Sequence, residues 1–263
     1  MTAGQGYPGS YATSKGGNEG AVGLHTGYVY GCLPQWSSNT QIEIGTGVAR
    51  SDDDTTDIAV TSPITVDITT TGANGRNVDT AEQSNKWYAC YVIKNPTSGA
   101  VAGFLINEDD LGSYTPPTGY TKKRRVGWFR NNNSSNLRKG MYEGLGPDRR
   151  FIYDVERTEM LVLSGGSSTA WADINLQAYV PPDQDHVTII GIYDPFGTSF
   201  VDLRPKGSTV ADPVFFSYQS TAAESFSFDL PTDNAQTIQY QVFNGADNLD
   251  VYIQAFRDSL WTG

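Results

Sequence analysis

The sequence predicts an all-β protein: two β-sandwich, jelly-roll-like domains preceded by a glycine-rich extended N-terminal arm. Three observations carry this expectation. Charged residues are only 18% of the chain while aromatics reach 12%, and Gly, Ser, Thr and Asn abound, a composition that suits short strands and turns better than helices. Apolar residues alternate with polar ones in segments of strand length. Clusters of Gly, Pro, Asn and Asp punctuate the chain between these segments. A length of 263 residues exceeds what one core usually serves, which favours two domains.

Residues 1–36 are Gly-rich and carry Tyr7, Tyr11, Tyr28 and Tyr30. Such a segment closes no core of its own, and it is expected to act as an anchoring arm whose tyrosines supply rigid contact area. The first domain is expected over 37–165. "TQIEIGTG", "DIAV" and "PITVDIT" alternate, with Ile42 and Ile44 in phase and Ile64, Val66 and Ile68 in phase. "KWYACYVIKN" is a continuous apolar run, expected as a central strand buried on both faces, with "AVAGFLIN" as its hairpin partner after the turn "NPTSG". "RRVGWFR" and "LRKGMYEG" are expected as a hairpin about the turn "NNNSSN", with "RRFIYDVE" and "TEMLVLS" following. "SGGSST" at 164–169 is the expected boundary. The second domain, 166–263, opens with "WADINLQAYV", in which Ala172, Ile174, Leu176, Ala178 and Val180 share a face, and continues through strands from "HVTIIGIYD" to "LDVYIQAF".

Sites of chemistry are sparse. The two histidines, His25 and His186, are accompanied by no nucleophile motif. Cofactor fingerprints and zinc-ligand spacings are absent, and no cofactor is expected. Asp52, Asp53, Asp54 and Asp57 form an acidic run that lacks the glycine and distal glutamate of an EF-hand, and it is expected to be a solvated turn rather than a calcium loop. Cys32 and Cys90 are expected as free thiols, with a single disulfide as the alternative. The N-terminus has no apolar core of a secretory signal, and no segment is long and apolar enough to span a bilayer, so no membrane is expected as a partner.

One stretch departs from the rest. The formal net charge is −11, yet residues 122–150 hold nine of the eighteen basic residues and stand at +7 against −18 elsewhere. An acidic chain argues against nucleic acid as a partner. The run Lys122, Lys123, Arg124 and Arg125 is expected on a structural hairpin, with a protein-docking surface as the alternative.

Three successive stretches carry a resemblance: "NTQIEIGTGVARSDDDTTDIAVTSPITVDITTTGANG", "NKWYACYVIKNPTSGAVAGFLIN" and "PPTGYTKKRRVGWFRNN". With their order of "GTGVARS", an acidic-Thr link, "WY" before an apolar strand, and "P-x-GY" before "RRVGW-R", they resemble a module of structural proteins of tailed bacteriophages. "INLQAYVPPDQDHVTIIGIYD" through "IQYQVFNGADNLDVYIQAFRDSL" is similar to the domain that commonly follows it, so that the resemblance covers roughly residues 40–260. It implies a virion protein, made in the bacterial host cytoplasm, with β-sandwich domains, three-fold assembly and other virion proteins as partners. The motifs include no catalytic residues, which implies a non-enzymatic role. The arm outside the resemblance and the lack of a long repetitive shaft point to a short attached protein: a fibre, head decoration or adaptor. The alternative is an adhesin module binding a host receptor or surface glycan. Tyr7, Tyr11, Tyr28, Tyr30 and Lys122–Arg125 are the expected contact residues.

Overall fold

The structure, a computed structural model, describes residues 28–209 and 216–260, apart from the side chains of Phe216 and Ser217. Twenty strands, β1 to β20 in chain order, form five sheets among these residues, and the ordered turns between them include two short 3-10 segments. The fold is all-β, as composition and alternation require.

The first strands make two small antiparallel sheets. One is β1 (Val29–Gly31), β4 (Gly47–Arg50) and β5 (Asp57–Val60); the other is β2 (Pro34–Trp36), β3 (Gln41–Ile44) and β6 (Ile64–Asp67). The last residues of the expected arm therefore belong to the folded body. A reading by glycine content misses this, because at Gly31 the glycine serves a positive φ of 67° and a close backbone approach rather than looseness.

A four-stranded sheet follows, ordered β10 (Lys122–Asn131), β8 (Lys86–Lys94), β9 (Val101–Asn107) and β7 (Gly75–Arg76). All seven interior residues of β8 are buried, which is why its sequence shows no alternation. On one side Gly103 leaves room for Val66 and Ile44. Aromatic rings join the sheet to the next one. Trp87 meets Phe256 edge-on at 5.7 Å and Phe129 meets Phe151 at 5.6 Å, while Phe151 and Phe256, register partners within that next sheet, stack at 5.2 Å.

That next sheet has six strands. β11 (Gly140–Glu143), β12 (Asp148–Tyr153), β20 (Asn248–Ser259), β15 (His186–Asp194) and β18 (Glu224–Pro231) lie in this order, and β13 (Leu161–Gly166) also pairs with β20. β20 is its spine, with β15 along one edge and β12 then β13 along the other. The second layer of this half is β14 (Ala172–Asn175), β19 (Thr237–Val242), β16 (Ser199–Pro205) and β17 (Phe216–Ser220).

Three expectations are corrected here. The boundary at 164–169 does not separate the strand pairing, because β11, β12 and β13 from the first block join the sheet of the second. Gly166 is in place as a strand residue against the Tyr240 ring rather than as a linker. β10 and β11 do not extend a hairpin ladder: one antiparallel bridge, Asn131 to Leu137, closes the turn, after which β10 pairs with β8 while β11 leaves to pair with β12. β14 ends at Asn175, and the chain turns where Tyr179 and Val180 both donate to the Leu176 carbonyl. Ile174, Leu176 and Val180 are buried as expected, but Ala178 is exposed, because the chain turns where the alternation predicted a strand.

At the far end of the second half, Asp247 is buried and gathers donors from two loops. It accepts from Tyr193 Oη (2.7 Å), Ser199 Oγ (2.6 Å), the Phe196 amide (2.7 Å) and the Asn244 amide (3.2 Å). Burial alone would raise its carboxyl; the hydrogen bonds, that of Ser199 foremost, outweigh it, and the group sits below the ordinary carboxylate range.

Two outcomes are expected. A Cβ on Gly47 would stand 2.3 Å from the Cys32 amide nitrogen and 2.4 Å from the Tyr30 carbonyl oxygen, both backbone. Gly47→Ala should therefore cost roughly 1–3 kcal/mol in urea denaturation and open the β1–β4 pairing to amide exchange. Because its folded value is depressed, Asp247 contributes stability above the unfolded carboxylate value of about 3.9, and this is lost as pH falls through the lower folded value. Acid unfolding of Asp247→Asn should show a shallower pH dependence in that window than the parent.

Candidate functional site

Every cation of the basic stretch meets a partner inside the chain. Lys122 pairs with Asp53, and Lys123 lies over the rings of Tyr91 (5.1 Å) and Tyr114 (4.8 Å). Arg124, 3% exposed, donates to the Leu260 carbonyl and faces Asp52 at 3.5 Å. Arg125 donates to Asp258 at 2.6 Å and to the Ser259 carbonyl at 2.9 Å. Arg130 faces Glu108 and the Trp87 ring, Arg138 covers Tyr179, and Lys139 pairs with Asp154. Val126, Gly127, Trp128 and Phe129 are all out of solvent because β10, like β8, is covered on both faces, and a register shift falls between Arg125 and Gly127.

The acidic run is the counterpart of this stretch. Arg50 bonds Asp54 and Asp57 at 2.8 and 2.9 Å, and Asp52 and Asp53 face the basic strand. Burial raises the Asp52 carboxyl against the attraction of Arg124. Among the described residues no group of three or more His, Cys, Asp or Glu side chains is placed to hold a metal ion. Cys32 and Cys90 are free and buried; burial pushes the Cys32 thiol up to about 11 and raises that of Cys90 as well, which keeps both protonated at neutral pH.

Asp258 is at the centre of this arrangement. It is fully buried, and besides Arg125 it accepts from Tyr142 Oη at 3.0 Å. Tyr142 in turn accepts from the Trp128 amide at 2.6 Å, and burial together with the Asp258 charge holds its phenol far above the ordinary value. Arg149, 2% exposed, reaches no carboxylate among the described residues and donates instead to the carbonyls of Gly146 (2.9 Å), Val126 (2.8 Å), Cys32 (3.3 Å) and Gly31.

Of the remaining expected contact residues, Tyr30 is 53% exposed on β1 and the Tyr28 carbonyl accepts from the Arg50 amide. Tyr7, Tyr11 and His25 lie outside the described residues. His186 opens β15, with Nδ1 2.9 Å from Asp185.

The feature that sequence reading missed is a groove of about 410 Å³ on the outer face of the six-stranded sheet. Arg150 on β12 and Arg257 on β20 are register partners, so two guanidinium groups stand side by side on one face. Like charges directly opposite are unfavourable in a sheet. Each is only partly met: Arg150 by Glu143 at 3.7 Å and by Thr188 Oγ1 at 3.0 Å, Arg257 by Asp148 at 3.1 Å. The Arg150 Nε is buried with no hydrogen-bond acceptor. Thr188 donates to Asp229 at 2.5 Å across the groove wall. A second hollow, of about 630 Å³, is lined in part by Lys86, Glu108, Asp109 and Arg130, but its charges meet one another, Lys86 reaching Asp109 at 2.7 Å and Glu108 lying 3.7 Å from both Lys86 and Arg130.

No family model matches the chain, and a search of curated proteins finds no match.

The buried cluster has a measurable consequence. Asp258→Ala leaves the Arg125 charge without its carboxylate and should lower stability by about 3–5 kcal/mol. Tyr142→Phe removes one hydroxyl between Trp128 and Asp258 and should cost roughly 1–3 kcal/mol. Chemical denaturation of the two variants checks both the values and their order.

Proposed function

We propose that this chain is a non-enzymatic structural protein of a tailed-bacteriophage virion, a fibre, decoration or adaptor component. It is attached through its N-terminal segment, displays β-sandwich layers and assembles as a homotrimer with other virion proteins as partners. The order of motifs quoted above supports the family. The observation that carries the mode of attachment is the way the chain is rooted. The Gly31 amide donates to the Leu145 carbonyl, the Leu260 amide donates to the Pro147 carbonyl, and Arg149 holds the Gly31 and Cys32 carbonyls. Both ends of the described body thus leave from the turn 144–147 and the start of β12. A load on the residues before Tyr28 passes along β1 into β4 and, through Arg149, into the core. That arrangement suits a body held out from a platform by one pole.

A second reading, a glycan-binding adhesin module, is favoured by the groove beside Arg150 and Arg257.

Mass spectrometry of gradient-purified particles tests the first reading. The intact chain should be present at constant copy number, and a chain lacking residues 1–27 should fold but be lost from particles. Absence of the intact chain from particles overturns the virion role, and full incorporation of the shortened chain overturns attachment through the arm. Light scattering of the purified protein should give three times the 28.6 kDa chain mass; a single chain mass removes the intrinsic trimer.

A further inference from the structure

We infer that the groove on the outer face of the six-stranded sheet binds a sugar acid, with the carboxylate on Arg150 and Arg257 and the ring hydroxyls on the flanking carboxylates. The juxtaposition of the two arginines as register partners is the primary observation. Two cations placed directly opposite cost stability unless an anion lies between or across them. The chain supplies only partial neutralisation, from Glu143 at 3.7 Å and Asp148 at 3.1 Å, and these are exposed contacts of little strength. A planar carboxylate is matched to the fork of a guanidinium and accepts two parallel hydrogen bonds from it. Arg150 lines the groove, and its buried Nε has no acceptor among the described residues, so the chain leaves part of this guanidinium unsatisfied.

The surroundings narrow the ligand class. Going across the sheet, Glu143 stands on one side of the arginine pair and Asp229 on the other, with Thr188 bonded to both Arg150 and Asp229, while Asp148 lies two residues before Arg150 on β12. A polyanion such as nucleic acid, or an acidic peptide, would bring negative charge against all three carboxylates. A neutral sugar would add no charge to the partial neutralisation that Glu143 and Asp148 give the two arginines. A ligand with one carboxylate among several hydroxyl groups satisfies both, since hydroxyls donate to Glu143, Asp148 and Asp229 while the carboxylate accepts from the arginines. The volume of about 410 Å³ is in the range of small-molecule sites. His186 adds a further polar edge beside Arg257, because its neighbour Val187 is the register partner of Phe256.

The inference rests on the glycan-binding reading, and the experiment keeps the two separate. The full-length protein is titrated calorimetrically with the methyl glycosides of glucuronic acid, galacturonic acid and N-acetylneuraminic acid, and with methyl glucoside as the neutral probe. At least one acid should bind about tenfold or more tightly than the neutral sugar, and Arg257→Gln and Arg150→Gln should each weaken it by about tenfold or more. Lys206→Gln, which removes a positive charge from the exposed Asp173 pair, should leave binding unchanged. Equal binding of acid and neutral sugars overturns the inference, as does parent-like binding by folded Arg150→Gln/Arg257→Gln. If none of the acids binds while the protein still binds host cells saturably, the sugar-acid ligand is overturned and the adhesin reading stands. If cell binding is also absent, both fall.

Discussion

A carboxylate with no access to water, Asp258, sets the terms for the centre of this molecule. Near the end of the last strand, it must be answered from β10 and β11, and it is: Arg125 supplies the charge and Tyr142 the second donor. Because breaking a buried pair from one side costs far more than the pair gains over water, these three residues commit the elements that bear them to one arrangement. The same geometry draws Trp128 into register through its amide, and the aromatic contacts of Tyr142 with Phe129 and Phe151 follow. Arg149 then extends the arrangement to the entry of the chain by holding the carbonyls of Gly31 and Cys32.

This accounts for a basic stretch in an acidic protein. Cations that a linear reading offers to a partner are consumed at home: by Asp52 and Asp53 from the acidic run, by Asp258 from the last strand, and by aromatic faces and backbone carbonyls. What the surface retains is different in kind. On the outer face of the long sheet, Arg150 and Arg257 keep part of their hydrogen-bonding capacity, framed by carboxylates. Under the proposed virion role, the body has one pole devoted to attachment, where Gly31 and Leu260 meet residues 145–147, and a sheet face available for recognition.

The strands themselves were legible in the sequence. Ile42 and Ile44, the apolar run of β8 and its hairpin with β9, and the apolar strand-length segments of β15 and β20 are local patterns, and a strand half or wholly buried must display them whatever its neighbours are. The free state of Cys32 and Cys90 and the turn at "NNNSSN" were equally accessible, since both rest on short-range chemistry. Pairing was not. That β12 and β13 line up end to end along β20, so that the pairing runs across "SGGSST", depends on contacts between residues roughly 80 to 110 positions apart.

The groove shows the same division most plainly. Arg150 and Arg257 are 107 positions apart, and nothing near either one marks it as half of a pair; only the register of β12 on β20 sets them side by side. By itself the sequence determined the fold class, the strands and the sign of each charge, because these follow from side chains and their immediate spacing. Which charges neutralise one another and which stay open to a ligand was decided by the tertiary structure, because electrostatic pairing acts through space and is indifferent to distance along the chain.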